Sequence, residues 1–218
     1  MSRRALIIDA GVGNLGNLVR ALERIGSGMG TTAEITLDPA RVAAERRCLL
    51  LPGVGAFAPP RAALRGPMEA ALQEALDHGA WLLGICVGFH LLFESGEEFE
   101  SVDGLGLLSG RVTRLPSGVP VPHIGWNRLH DLADHPLLAG LEDAGGQGEF
   151  VYFVHSYAPD GVPEADRLAL CTHGRAFPAI AGRGRVMGTQ FHPERSGEAG
   201  LRLLSNFLEM AHGSAAGR

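Results

Sequence analysis

A cysteine between two glycines follows a short apolar run, and this pattern suits a nucleophile. Cys86 is the centre of Gly84-Ile85-Cys86-Val87-Gly88, directly after the apolar residues 80–85. The pattern has the form of a nucleophile elbow with cysteine in place of serine, in which a strained turn requires small flanking residues. A helix that opens at the elbow favours the thiolate, and the backbone N–H of Val87 is placed to stabilise an oxyanion. The alternative is a buried packing cysteine.

A cysteine nucleophile needs a base, and the base needs an orienting group. Both are present in His192-Pro193-Glu194, which follows the predicted strand at 185–191. We expect Glu194 to accept a hydrogen bond from one imidazole nitrogen while the other faces the thiol. Open α/β sheets place their sites at strand ends, so the pattern predicts a Cys86, His192 and Glu194 triad. Zinc deaminases also use H-x-E, but their P-C-x-x-C partner is absent from this sequence.

Two glycine-rich turns follow other strands. Residues 11–16 match G-x-G-x-x-G with Asp38 further along, which is the dinucleotide fingerprint or simply a tight strand-to-helix turn. Pro52-Gly53-Val54-Gly55 follows the predicted strand at 47–51. Its glycines leave backbone N–H groups accessible, so Val54 is a candidate second oxyanion donor; an ordinary loop is the alternative.

Alternating strands and helices must position these turns. Apolar periodicity predicts strands at 5–9, 33–37, 47–51, 80–85 and 185–191, and helices at 14–25, 67–78, 87–94 and 198–212, with Gly26 ending the first helix. Short extended stretches at 105–108, 111–115, 127–129, 150–155, 167–172 and 176–181 favour antiparallel hairpins. The aromatic run at 150–157 predicts a buried strand. We predict an α/β fold with an open, mostly parallel sheet flanked by helices and added antiparallel strands. It forms one domain over residues 1–212, with a frayed tail at 213–218.

Composition excludes several classes of function. The 218 residues contain 19 basic and 24 acidic side chains, a net charge of −5, which provides no basic field for nucleic acid or an anionic membrane. All 19 basic residues are arginine, so a Schiff-base or P-loop lysine is excluded. No apolar run approaches the ~18 residues of a membrane-spanning helix. Three cysteines without a C-x-x-C pair predict neither a disulfide framework nor a zinc site, and favour a reducing cytoplasm.

Together these segments resemble the triad-type (class I) glutamine amidotransferases, which have a flavodoxin-like, three-layer fold. The segments PGVGAF, GICVGFHLLFE and GTQFHPERS, at 52–57, 84–94 and 188–196, carry this resemblance. Three others, IIDAGVGNLGNL, VPHIGWN and YFVHSYA, at 7–18, 121–127 and 152–158, are similar to glutaminase subunits of imidazole glycerol phosphate synthases. The resemblance extends from about residue 6 to about residue 208.

The resemblance implies a reaction and its residues. Cys86 attacks the side-chain amide of glutamine, and His192, oriented by Glu194, acts as base and then as acid to the departing ammonia. Water hydrolyses the thioester, and the N–H groups of Val54 and Val87 stabilise both tetrahedral states. The substrate-binding residues that it implies are Gly53, Gly55, His90, Ser156 and Tyr157. No cofactor or metal is implied.

The resemblance also implies a partner. Ammonia passes to a (β/α)₈-barrel cyclase subunit, with which the chain forms a heterodimer. The partner-facing residues implied are Asn14, Asn17, Trp126 and Arg195. In this family the turn at 11–16 belongs to the scaffold, and no dinucleotide is bound.

Departures from the family pattern leave alternatives open. Position 90 is usually glutamine, whereas His90 is bulkier and can carry a charge, which affects glutamine affinity and its pH dependence. Ala10 and Gly16 stand where larger side chains are common, and Arg195 replaces a frequent lysine. The alternatives are a glutaminase of another amidotransferase, a weakly active partner subunit suggested by His90, and a nucleotide-binding oxidoreductase suggested by residues 11–16.

Overall fold

The computed structural model describes residues 3–11, 15–29, 31–142 and 145–213. The strands are β1 (Arg3–Ile8), β2 (Thr31–Thr36), β3 (Cys48–Gly53), β4 (Trp81–Cys86), β5 (Ser95–Gly96), β6 (Val102–Asp103), β7 (Arg111–Arg114), β8 (His123–Arg128), β9 (Phe150–His155), β10 (Tyr157–Asp160), β11 (Arg167–His173), β12 (Arg175–Arg183) and β13 (Val186–Thr189). The helices are α1 (Leu15–Met29), α2 (Pro39–Ala43), α3 (Ala58–Leu64), α4 (Pro67–Asp77), α5 (Val87–His90) and α6 (Gly197–Gly213). Short 3₁₀ turns lie at Pro136–Leu138, Glu164–Asp166 and Pro193–Arg195.

A seven-stranded sheet forms the centre, in the order β11-β12-β13-β4-β3-β1-β2. Five neighbouring strands of this sheet pair in parallel, namely β13, β4, β3, β1 and β2. Strands β12 and β11 are antiparallel additions at one edge. Taken in chain order, the parallel part has the 2-1-3-4-5 arrangement of flavodoxin-like folds. The predicted mostly parallel α/β sheet with added antiparallel strands is confirmed.

Helices cover both faces of this sheet, and the strands are therefore apolar on both sides. In β1, Ala5 and Ile7 belong to the core packed against α1 and α6, while Leu6 and Ile8 belong to the core packed against α3 and α4. Burial on two faces explains why the strands appear in the sequence as continuous apolar runs rather than as alternating ones. The layers hold the carboxyl ends of β3, β4 and β13 at one edge, where the candidate site lies.

Two smaller sheets complete the architecture. One has the order β10-β7-β5-β6, and the other is the antiparallel pair β8-β9, which we call the ribbon. In β9, Val151, Phe153 and His155 are buried, whereas Phe150 is 47% exposed. The prediction that this run is a buried strand is therefore wrong for one of its faces, because no further layer of the described residues covers the outer side of the ribbon.

Several predicted boundaries shift. Helix α1 continues past Gly26, where a Cβ atom would lie 2.4 Å from the carbonyl oxygen of Thr31; the glycine permits close packing and does not end the helix. Helix α5 ends at His90, well short of residue 94. No strand forms at 105–108, where backbone N–H groups bind the carbonyl oxygens of Leu91 and Leu92. Helix α4 agrees with the prediction to within one residue.

The predicted C-terminal tail begins where the last helix, α6, ends. Of the predicted tail, Gly213 is the last residue of α6, and residues 214–218 lie outside the described residues. Among the helices that the structure describes, none combines the length and apolar character needed to cross a bilayer. Within the same residues, no group of three His, Cys, Asp or Glu side chains is arranged to hold a metal ion.

Candidate active site

Cys86 stands on a strained turn between β4 and α5. Its backbone has φ 55° and ψ −109°, a conformation that costs a non-glycine residue about 1–3 kcal/mol and persists only when its surroundings impose it. A Cβ atom on Gly84 would lie 2.7 Å from the carbonyl oxygen of Gly88, and one on Gly88 would lie 1.7 Å from that of Leu51. The flanking glycines are therefore required by close backbone packing, as the elbow pattern predicts.

His192 and Glu194 reach the same edge of the sheet because β13 runs parallel to β4, with Thr189 opposite Ile85. The Nδ1 atom of His192 donates to Oε1 of Glu194 over 2.8 Å, and both side chains are buried. Burial by itself lowers the pKa of His192. The interactions of His192 with Cys86 and Glu194 outweigh that effect and raise this pKa to about 10.

The second imidazole nitrogen remains available to the thiol. Nε2 of His192 has no hydrogen-bond partner of normal geometry among the described residues, although its ring lies close enough to Cys86 for the thiolate to raise its pKa. The two groups are thus neighbours that interact by charge without a fully aligned hydrogen bond. Catalytic pairs often show such loose geometry before substrate binds.

Ser196, which no sequence motif identified, stabilises the loop that carries His192. Its buried hydroxyl donates to the carbonyl oxygen of His192 over 2.7 Å and accepts from the N–H of Tyr152 over 3.0 Å. The N–H of His192 in turn donates to the carbonyl oxygen of Tyr152 over 3.1 Å. A hydroxyl side chain directly after a single 3₁₀ turn commonly makes such bonds, and this was the only local signal.

A cavity of 270 Å³ opens over Cys86, close to the size of small-molecule sites. It is lined by Val54, Gly55, Cys86, Val87, His90, Glu98, Pro122, Val154, His155, Ser156, Tyr157 and His192. The predicted residue Gly53 is not part of this lining; it pairs with Cys86 across β3 and β4 and packs against Val87 and Gly88. A larger groove of 580 Å³ beside α1 and α6 contains neither cysteine nor histidine.

Glu98 and His90 are polar residues of the cavity lining. Glu98, which the sequence analysis did not identify, contributes a carboxylate that accepts from the N–H of Phe57 over 2.8 Å. His90 is buried, and its Nε2 atom lies 2.8 Å from Oε1 of Gln190. Burial lowers the pKa of His90 to about 4, although the bond to Gln190 acts in the opposite direction. His90 is therefore uncharged at neutral pH.

The other two cysteines are packing residues. Cys48 in β3 and Cys171 in β11 are buried, and neither forms a disulfide. Burial raises the pKa of both thiols, that of Cys171 to about 12, so neither is a nucleophile at neutral pH.

Two of the predicted partner-facing residues share one surface. Trp126 is 57% exposed and makes an edge-to-face contact with Tyr152, and the guanidinium of Arg195 lies 4.2 Å above the Tyr152 ring. Asn17 lies in α1, where its side chain accepts a hydrogen bond from Arg20. Asn14 lies outside the described residues, as do residues 12 and 13 of the same turn at 11–16.

Known proteins share much of this sequence and of its fold. The family model "Glutamine amidotransferase class-I" matches residues 6–211. The "Imidazole glycerol phosphate synthase subunit HisH" of Symbiobacterium thermophilum is 45% identical over 208 residues, which cover 95% of this chain and 94% of the relative. That of Methanosarcina barkeri is 44% identical over 211 residues, covering 95% and 99%. A crystal structure of a glutamine amidotransferase superposes with a TM-score of 0.72 at 22% identity, covering 96% of this chain and 99% of that one.

Proposed function

Because the chain belongs to the class I glutamine amidotransferase family, we propose that it is the glutaminase subunit of an imidazole glycerol phosphate synthase, acting in histidine biosynthesis. The observation that carries the proposal is the buried Cys86, His192 and Glu194 arrangement beside a cavity of 270 Å³. Similarity to relatives named as this subunit, over nearly their whole length, supports the choice within the family.

The first half of the reaction forms a thioester. The Cys86 thiolate attacks the side-chain amide carbon of glutamine, and the carbonyl oxygen becomes an oxyanion. The N–H groups of Val54 and Val87 are the proposed donors to this oxyanion, each contributing about 3–4 kcal/mol. As the C–N bond breaks, His192 gives its proton to the departing nitrogen, and ammonia leaves. The high pKa of His192 keeps that proton in place until it is needed.

The second half releases glutamate. His192, now neutral, accepts a proton from water as the water oxygen attacks the thioester carbon. The C–S bond then breaks, and the thiolate and imidazolium pair is restored. Glu194 holds Nδ1 of the imidazole through both halves, so that Nε2 always faces the thiol.

The cavity lining supports an amino-acid substrate. We assign Glu98 to the α-ammonium group of glutamine, because it is the carboxylate that lines the cavity. Gly55, Ser156 and Tyr157 line the same space, and neutral His90 contributes hydrogen-bonding capacity without charge. Gly53 we assign to packing beneath α5, where it allows the elbow to approach β3.

The exposed face of the ribbon supports a protein partner. Its side chains alternate along the paired strands, and Ile124, Trp126 and Phe150 are 61%, 57% and 47% exposed. Aromatic residues and arginine are enriched in interfaces, which suits Trp126, Tyr152 and Arg195. We propose that this face docks a (β/α)₈-barrel cyclase subunit, forming a heterodimer that receives the ammonia. Three unpaired thiols support a cytoplasmic location.

A glutaminase assay with and without the barrel subunit and its nucleotide substrate tests the proposal. We expect glutamate and ammonia in equal amounts, with faster turnover in the complex. Absence of turnover in both preparations would contradict it. Turnover that does not respond to the barrel subunit would leave a glutaminase serving a different acceptor.

A further inference from the structure

Two buried histidines on the inner face of the ribbon have no part in the chemistry described above. His123 in β8 and His155 in β9 are register partners across the two strands. They are 4% and 6% exposed, and Nδ1 of His123 lies 2.9 Å from Nε2 of His155. Two imidazoles in direct contact inside a protein require one to donate and the other to accept, so their protonation must be defined by their other partners.

Those partners impose a single direction on the chain of hydrogen bonds. Nδ1 of His155 lies 2.8 Å from the carbonyl oxygen of Tyr157, which can only accept, so this nitrogen carries the proton. Burial lowers the pKa of His155 to about 3, hence its Nε2 is unprotonated and accepts from His123. Nε2 of His123 then accepts from the side-chain amide of Asn127 over 3.3 Å. That amide also donates to the carbonyl oxygen of Thr172 over 3.0 Å.

Packing holds the rings in place. The ring of His123 stacks on that of His173 at 4.1 Å and on that of Phe153 at 4.8 Å between centroids. The His155 ring packs edge-on against Phe177 at 5.1 Å. Neither imidazole can rotate without breaking both its hydrogen bonds and these contacts. The hydrogen bonds and the packing contacts together therefore hold His155 in one orientation.

The chain of hydrogen bonds ends at the wall of the active-site cavity. Ser156 separates β9 from β10, and at this residue the backbone passes from the ribbon into the four-stranded sheet. The side chain of His155 spans this bend to bind the carbonyl oxygen of Tyr157. His155, Ser156 and Tyr157 all line the cavity.

We propose that His155 is a positioning residue of the glutaminase reaction, which sets the Ser156 and Tyr157 wall against the substrate and is itself oriented by His123 and Asn127. The inference rests on the proposed function, since it assigns that wall to glutamine. Cys86 and His192 are carried by other strands. Loss of the His155 bond therefore weakens glutamine binding more than it slows the chemical steps.

Steady-state glutaminase kinetics of two substitutions at one position test this role. His155→Ala removes the donor to Tyr157, whereas His155→Asn keeps an N–H close to the position of Nδ1. We expect KM for glutamine to rise about tenfold in His155→Ala and less than about threefold in His155→Asn, with kcat changing less than KM in both. His130→Ala is the matched control, because His130 also bonds Thr172 of β11 but lies outside the chain of hydrogen bonds.

Two further measurements separate the outcomes. Alkylation of Cys86 by iodoacetamide uses the thiol and His192 but not the glutamine contacts, so its rate should be the same in all variants. An unchanged KM in His155→Ala, equal KM values in the two variants, or slowed alkylation would overturn the inference. Absent turnover in the unsubstituted protein would count against the proposed function instead. Should His155→Ala unfold, Asn127→Ala tests the outer end of the chain, and an unchanged KM there overturns the inference equally.

Discussion

Among single residues, His192 is central to the proposed reaction because it must retain a proton until ammonia leaves. Its pKa of about 10 results from the neighbouring Cys86 and Glu194, which outweigh burial. In the folded protein the imidazole should thus be charged at pH 8, where a free histidine is neutral. An NMR titration of the His192 ring should show its midpoint near pH 10.

The sign of the effect can be checked by removing one cause. In Cys86→Ala the interaction with the thiolate is lost while burial remains, so the midpoint must move to lower pH. A His192 midpoint that is unchanged by Cys86→Ala would show that the two side chains do not interact.

The candidate site could be predicted from sequence where its signals are local. Cys86 sits in a five-residue pattern and His192 lies two positions from Glu194, so short motifs suffice. Glu98 could not be predicted, because its contact with Phe57 joins segments far apart in the chain. The hydrogen bond between His123 and His155 could not be predicted for the same reason. The neutral state of His90 likewise depends on burial within the folded protein, which outweighs the opposing effect of Gln190, a hundred positions away.

At the scale of elements, the elbow requires contact between α5 and β3. Gly88→Ala would place a methyl group 1.7 Å from the carbonyl oxygen of Leu51, which forces the two elements apart. We expect the free energy of unfolding to fall by about 3 kcal/mol, lowering Tm by roughly 6–12 °C. Gly118→Ala is the control, since a methyl group there meets nothing within 4 Å. Thermal unfolding followed by circular dichroism measures both; equal Tm values would contradict this packing.

Elements were predictable where one periodicity acts alone. Helix α4 has an apolar face with proline at its start, and its bounds agree with the prediction. Helix α1 was predicted to stop at Gly26, because nothing local reveals that the glycine lies against Thr31 of β2. The residues 105–108 suggested a strand, yet their N–H groups donate to backbone carbonyl oxygens of the residues that directly follow α5. In each such case a tertiary contact decides between local alternatives.

At the scale of the whole molecule, the exposed ribbon face should determine affinity for the barrel subunit. Trp126→Ala removes the largest exposed aromatic side chain, which leans on Tyr152, and we expect Kd to rise roughly 30-fold or more. Ile35→Ala, which truncates a 46% exposed apolar residue on β2, should change Kd less than about threefold. Isothermal titration calorimetry with the purified barrel subunit measures both. Equal affinities for the two variants would place the interface elsewhere.

The sheet and its layers followed from the alternation of apolar runs and helical periodicities, because that alternation specifies a parallel sheet. The division of the later strands among three sheets did not, since hairpin signals at 111–181 carry no information on which sheet each strand joins. One domain over residues 1–212 stays a prediction.

The covalent intermediate provides the most direct measurement. The protein is mixed with glutamine, quenched in acid within the first turnover, digested and analysed by mass spectrometry. The account predicts one γ-glutamyl group on the peptide that contains Cys86, and none in Cys86→Ala. A glutamyl group on the peptides of Cys48 or Cys171, or glutamine hydrolysis that persists in Cys86→Ala, would contradict it.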